Sequence, residues 1–349
     1  MDGFQVVRLY YLSALNLSAQ KIEEPGASLL QEVPMETKKR KTFPKAVFFA
    51  GAVAALGAVA VQTFIFLFYY EESVSLYAAG TKIPAVYSGC IFGMTAIVLL
   101  LSLFIKKGSI PGDMPAADRL TSFFAMLSGL LFLAAAAFTV YLHIMGGQFS
   151  LSYLRIAATA LAVLASFYFF ATAVARSPKR TPYVFMGLLV IVWAIVYLMC
   201  IYFEMDSPLN NPVRELNQRS LILIMLYFLF ELRYVLNRRD GVTSSVLPKP
   251  KLYFAISIIA MLMVLPASVS DIILTFSGVR AVGADTYFRM AEASVVLYIF
   301  ARCKSVIQSE SSGEVVYNAD SAGTESSDTD AGMQSDEIPE IAETGENAE

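Results

Sequence analysis

Apolar residues in this chain run in long blocks instead of alternating at the two-residue period of strands or marking one narrow helical face. Eight blocks stand out: Pro44–Tyr70, Pro84–Ile105, Leu120–Met145, Leu151–Ala175, Tyr183–Phe203, Ser220–Leu236, Leu252–Ser277 and Thr286–Arg302. Most reach the ~20 residues a helix needs to cross a ~30 Å hydrocarbon core. The sixth and eighth are shorter and carry charge. They count as spans because the alternation of loop charge holds only if both are included.

Basic residues collect before the first block (Lys38, Lys39, Arg40, Lys41, Lys45) and after the second (Lys106, Lys107, Arg119). They collect again after the fourth (Arg176, Lys179, Arg180), the sixth (Arg238, Arg239, Lys249, Lys251) and the eighth (Arg302, Lys304). The intervening loops are poor in them. By the positive-inside rule the N-terminus is cytoplasmic, and an even number of spans returns the C-terminus to the same side.

Composition agrees: 56% of residues are hydrophobic, 16% are charged and the mean hydropathy is +0.59, against about 25% charged in soluble domains. The expected fold class is an all-α integral membrane protein, an eight-helix transmembrane bundle. The net charge of −3 hides two regions of opposite sign. All 26 Lys and Arg lie at or before Lys304, whereas twelve of the 29 acids follow it. Residues 305–349, rich in Ser, Glu, Asp, Gly and Ala, are expected to be a disordered acidic cytoplasmic tail. Such a tail solubilises, or docks a basic protein partner. Residues 1–43 form a cytoplasmic N-terminal segment. Arg8 interrupts its one apolar run, which argues against a signal peptide, and Met35-Glu-Thr-Lys-Lys-Arg-Lys reads as a natural start preceded by an extension, 1–34.

The loops repeat in length, and residues repeat with them. Tyr69-Tyr70-Glu71-Glu72-Ser73 ends the first block as Tyr202-Phe203-Glu204-Met205-Asp206-Ser207 ends the fifth, and Lys106-Lys107 follows the second as Arg238-Arg239 follows the sixth. Tyr153-Leu-Arg155 opens the fourth as Tyr287-Phe-Arg289 opens the eighth. The offsets of 133, 132 and 134 suggest two tandem four-helix units, 44–175 and 176–304. An even number of spans per unit makes the repeats parallel.

Charges inside the blocks are the candidate chemistry, since each costs ~2.5–3.5 kcal/mol at mid-bilayer unless paired or hydrated. Arg233 lies near the cytoplasmic end of the sixth span, where it can snorkel. Glu231 is deeper and shares a helical face with Tyr227 and Tyr234; it reads as an interhelical contact or as a proton- or cation-handling carboxylate. Pro266 should kink the seventh span, and Ser268, Asp271 and Thr275 follow as a polar stripe. Arg155, Asp271, Arg289 and Glu292 are expected at similar depth below the outer surface, with Glu204 and Asp206 above them. They form either an ion network that fixes helix packing or a vestibule for a small polar or charged solute or ion. Gly89-x-x-x-Gly93 and the run Gly51 to Ala60 are expected to let helices approach closely.

Known catalytic patterns are missing. Cys90, Cys200 and Cys303 are widely spaced, and His143 is the single histidine, so no metal site is expected. The chain has no G-x-S-x-G elbow and no Walker loop. Glu71-Glu72 resembles the paired glutamates of intramembrane prenyl-protein proteases, but Leu76 stands where that motif has Arg, and no paired-histidine motif follows. No cofactor and no nucleic acid is implied. Two function classes fit: a permease or channel for a small solute, and a non-enzymatic sensor, scaffold or assembly factor. Compact loops and the lack of a eukaryotic targeting signal favour a bacterial plasma membrane.

Overall fold

A computed structural model describes residues 34–71, 76–105, 109–111, 114–146, 153–174, 181–203, 211–236, 249–280 and 282–321. The chain divides into Met1–Phe43 and Pro44–Glu349, and the bundle belongs to the second unit. Its described residues form eight helices and one two-stranded hairpin. They are α1 (Pro34–Tyr69), β1 (Tyr70–Glu71), β2 (Leu76–Tyr77), α2 (Ile83–Phe104), α3 (Arg119–Gly146) and α4 (Tyr153–Val174). Then follow α5 (Thr181–Phe203), α6 (Pro212–Leu236), α7 (Lys249–Phe276) and α8 (Ala284–Ser321).

Six of these helices, α1 to α5 and α7, are long and apolar enough to cross a membrane. Their outward faces carry side chains that water would not tolerate in such number. Phe49, Val53, Leu56, Phe64 and Phe68 are exposed on α1; Val86, Phe92, Ile97 and Phe104 on α2; and Phe185, Met199 and Phe203 on α5. The chain therefore has the helices of a multi-pass membrane protein.

The two remaining helices, α6 with 25 residues and α8 with 38, are long but charged. Several of their ionisable groups face protein. Glu231 on α6 and Arg289, Glu292 and Arg302 on α8 are all buried. Side chains buried on several faces of α8, such as Phe288, Arg289, Tyr298 and Ala301, identify it as an interior helix. Each helix from α3 to α7 packs along its successor, and α8 returns against α3. This ring is joined by α2, which packs on α7, and by α1. On α1, Gly51 lies against Ile258, Thr63 Oγ1 donates to Ser270 Oγ at 3.1 Å, and Phe48 stacks on Phe300 with centroids 5.2 Å apart.

Local signals set the ends. Asn211 caps α6 by accepting from Val213 N at 2.9 Å, with Pro212 as the first helical residue, a place where its missing N–H costs nothing. This cap starts α6 eight residues before the expected Ser220, because polar Arg214, Glu215 and Arg219 are helical although they are not apolar. Asp118 caps α3 through Thr121 N at 2.8 Å. At the end of α7, Gly278 takes φ +76°, a conformation glycine adopts without strain. Val279 and Arg280 N–H groups then return to Leu274 O, which folds Arg280 back over the helix.

Two expectations change at the ends. The helix α1 begins at Pro34, and α8 runs on to Ser321. The first part of the segment expected to be unstructured, 305–321, is thus helical: Ser305, Val306 and Ile307 are buried, and this packing carries the helix past Lys304. Residues 322–349, the N-terminal 1–33, Glu72, Ser73, Lys106, Lys107, Arg176, Lys179, Arg180, Glu204, Met205, Asp206, Ser207, Arg238 and Arg239 lie outside the described residues. Close approach occurs at some glycines and not at others. A Cβ at Gly51, Gly129 or Gly187 would meet Ile258, Phe170 or Leu232 within 3.0 Å, whereas Gly57, Gly89 and Gly93 have nothing within 4 Å. The Gly89-x-x-x-Gly93 pair therefore makes no close helix contact among the described residues.

Candidate functional site

The helical ladder of α8 decides which charges meet. Asp285, Arg289 and Glu292 stand at i, i+4 and i+7, a spacing that puts all three on one face. They run inward from the helix start: the Asp285 side chain is 51% exposed, while those of Arg289 and Glu292 are 1% and 0% exposed. Around the outer member, Arg155 of α4 pairs with Asp285 at 3.2 Å, and the Tyr197 hydroxyl of α5 donates to the same carboxylate oxygen at 3.0 Å. Tyr197 lies within electrostatic reach of all four charges, Asp285, Arg289, Glu292 and Arg155. Its ring packs on Phe288 with centroids 4.7 Å apart, and Trp193 stacks on Tyr197 at 5.5 Å.

Arg289 Nη1 donates to Glu292 Oε2 at 2.5 Å. That single bond leaves much of both groups unmatched. Arg289 Nε and Nη2, Glu292 Oε1 and the Trp193 indole N–H are buried with no hydrogen-bond partner among the described residues. A buried polar atom left unmatched costs about 1–3 kcal/mol, more if charged, and native interiors hold few of them.

A second buried acid has the opposite character. Glu231 on α6 accepts from Tyr298 of α8 at 2.7 Å through Oε1 and from Tyr168 of α4 at 3.1 Å through Oε2. Arg302 of α8 faces Oε1 at 3.6 Å. Both oxygens are thus engaged, and the carboxylate ties three helices together. The neighbouring tyrosines extend the layer: Tyr227 and Tyr253 share a hydrogen bond of 3.0 Å, and Tyr234 donates to Pro111 O at 2.5 Å.

The five residues singled out in the sequence therefore separate. Arg155, Arg289 and Glu292 come together. Asp271 does not join them; it pairs with Arg280, which the Gly278 turn brings back over α7, and Arg280 also lies over the Tyr70 ring at 5.9 Å. Glu231 forms the closed cluster. Arg302, which looks like a cytoplasmic charge after the eighth span, is buried as the counter-ion of Glu231; the two are far apart in sequence, and no local spacing links them. Asp285, Tyr197 and Trp193 complete the open cluster and were not singled out. The i, i+4, i+7 ladder from Arg289 and Glu292 leads back to Asp285, whereas the two aromatics lie on another helix. Arg233 is exposed.

A third polar feature lies between α1, α2, α6 and α7. A cavity of about 30 Å³ is lined by Gln62, Tyr87, Ser88, Arg219, Leu262 and Pro266, among others. Pro266 has no N–H, so α7 offers no bond to the Leu262 carbonyl there, and buried Gln62 Nε2 has no hydrogen-bond partner among the described residues. Nearby, in the hairpin, burial pushes the Tyr77 phenol above its ordinary value. The space suits one water. Among the described residues, no group of three or more His, Cys, Asp or Glu could hold a metal ion.

The chain matches no protein-family model, and no curated protein or solved structure matches it.

Proposed function

We propose that this chain is an eight-span membrane protein that binds a small charged or polar solute at the Arg289–Glu292 cluster and serves as a permease or channel for it. One observation carries the reading. Of the two fully buried carboxylates, Glu231 has both oxygens engaged, while Glu292 keeps Oε1, and its partner Arg289 keeps Nε and Nη2, without a hydrogen bond among the described residues. Unmatched charge in a bilayer interior is costly and marks sites that complete themselves with water or ligand. The stepped exposure from Asp285 to Glu292 supplies an approach from the outer side.

In this reading α6 and α8 are spans that enter among the six apolar helices, with their charges turned to protein. The basic loops place both termini in the cytoplasm, and the plasma membrane of a bacterium is the expected location. The tandem relation of α1–α4 to α5–α8 rests on the recurring Tyr-x-Arg that opens α4 and α8.

The test is solute-dependent stabilisation of the purified full chain, screened over small anions, cations and zwitterions, followed by flux into proteoliposomes. Arg289→Gln should abolish the stabilisation, and Asp271→Asn, on a separate ion pair, should leave it intact. If no solute stabilises the wild-type chain, the binding reading fails. The alternative, a non-transporting sensor, scaffold or assembly factor, is favoured by one feature. Glu292 and Tyr298 point about 120° apart around α8 at 100° per residue, so the two polar clusters do not merge into one path. Binding without flux would select that alternative.

A further inference from the structure

The unengaged groups at the open cluster have a pattern that specifies more than charge. Nε and Nη2 form one edge of the Arg289 guanidinium, the fork that matches the two oxygens of a carboxylate. Nη1, on the other edge, is already committed to Glu292. Glu292 keeps Oε1, an acceptor able to receive an ammonium N–H. The two residual valences therefore have opposite sign and stand on adjacent turns of one helix face, within ~5–6 Å at the Cβ atoms.

Charge balance narrows the class further. Arg155, Asp285, Arg289 and Glu292 carry two positive and two negative groups within reach of Tyr197. With all four ionised, these described groups sum to zero. A lone anion or cation would leave net charge in a buried site, which is costly in a low dielectric. A solute carrying both charges keeps it neutral while filling both valences. On the α5 side, Trp193 and Tyr197 against Phe288 supply an aromatic wall. Such a wall accepts an apolar substituent, or an ammonium over a ring face.

Building on the solute-binding reading above, we propose that the ligand is a small zwitterion of the α-amino acid class. Its carboxylate lies on the Nε/Nη2 edge of Arg289, and its ammonium lies against Glu292 Oε1.

Calorimetry and thermal shift on the full chain in detergent, at constant ionic strength, can compare alanine with its two half-ligands, propionate and ethylammonium. Alanine should bind saturably, and each half-ligand at least tenfold more weakly. Arg289→Lys keeps the charge and loses the fork, so it should weaken alanine at least tenfold while its ligand-free melting stays near wild type. Should that variant melt early, the half-ligand comparison on the wild-type chain still decides the matter. Propionate binding as tightly as alanine would overturn the zwitterion assignment and leave an anion site, with the solute-binding reading intact. Ethylammonium binding as tightly as alanine would likewise leave a cation site. If alanine, leucine and glycine all fail while another solute of the screen binds, the zwitterion assignment alone falls. If nothing binds, both fall.

Discussion

Glu231 and Arg302 show how a buried charge is tolerated at the level of single residues. Neither is exposed, they face each other, and two tyrosine hydroxyls complete the carboxylate. Removing one partner of a buried pair strands the other, at a cost of about 3–5 kcal/mol, whereas replacing both with apolar side chains of similar volume is often neutral. Glu231→Gln alone should therefore lower the melting temperature of the detergent-solubilised chain substantially, and the double variant Glu231→Leu/Arg302→Met should recover part of the loss, the Tyr168 and Tyr298 hydroxyls then lacking their acceptor. A single variant that melts like wild type would remove Glu231 from the packing role. Tyr298→Phe should cost less, about 1–3 kcal/mol, because it leaves one acceptor short of one donor. Part of this was legible in the sequence. A carboxylate inside an apolar block announces a buried polar contact, and Glu231 was recognisable as such. Its partner was not, because Arg302 resembles the basic residues that follow other spans.

Individual helices divide by what their faces meet. On α1, Gly51 lies where a Cβ would strike Ile258 of α7 at 2.5 Å, while Gly57 faces open space. Gly51→Leu should disrupt the α1–α7 contact by overpacking, at about 1–3 kcal/mol or more. Gly57→Leu should be neutral or stabilising, because a helix interior favours leucine over glycine. Comparison of the two melting curves checks this, and equal losses would contradict the packing seen here. The spacing of small residues alone did not distinguish them, nor did it reveal that Gly89 and Gly93 contact nothing. The same reasoning applies to α8. Arg289, Glu292 and Arg302 each disfavour a lone helix in lipid, so residues 284–307 placed in a glycosylation-reported insertion assay should integrate poorly. Replacement of all three by Leu should restore insertion. Efficient insertion of the unmodified segment would show that its charges need no protein neighbours.

For the whole molecule, six helices carry the apolar exterior, and α6 and α8 carry most of the buried charge. The orientation inferred from basic loops has a direct check. In a variant without Cys90, Cys200 and Cys303, a cysteine at Ala79 or Val282 should react with an impermeant maleimide on intact cells. One at Ser309 should react only after lysis, and the reverse pattern would invert the topology. The sequence by itself determined the helical class, the apolar spans and the presence of ionisable groups at intervals inside them. Those features follow from block length and hydropathy, which are local sums over consecutive residues. Tertiary structure decided the pairing. Asp271 turns back to Arg280 through the Gly278 bend, Glu231 is closed by residues from two other helices, and Arg289 with Glu292 is left open beside Trp193. Whether a buried charge is matched depends on which helix faces meet, and helices distant in the chain supply those faces.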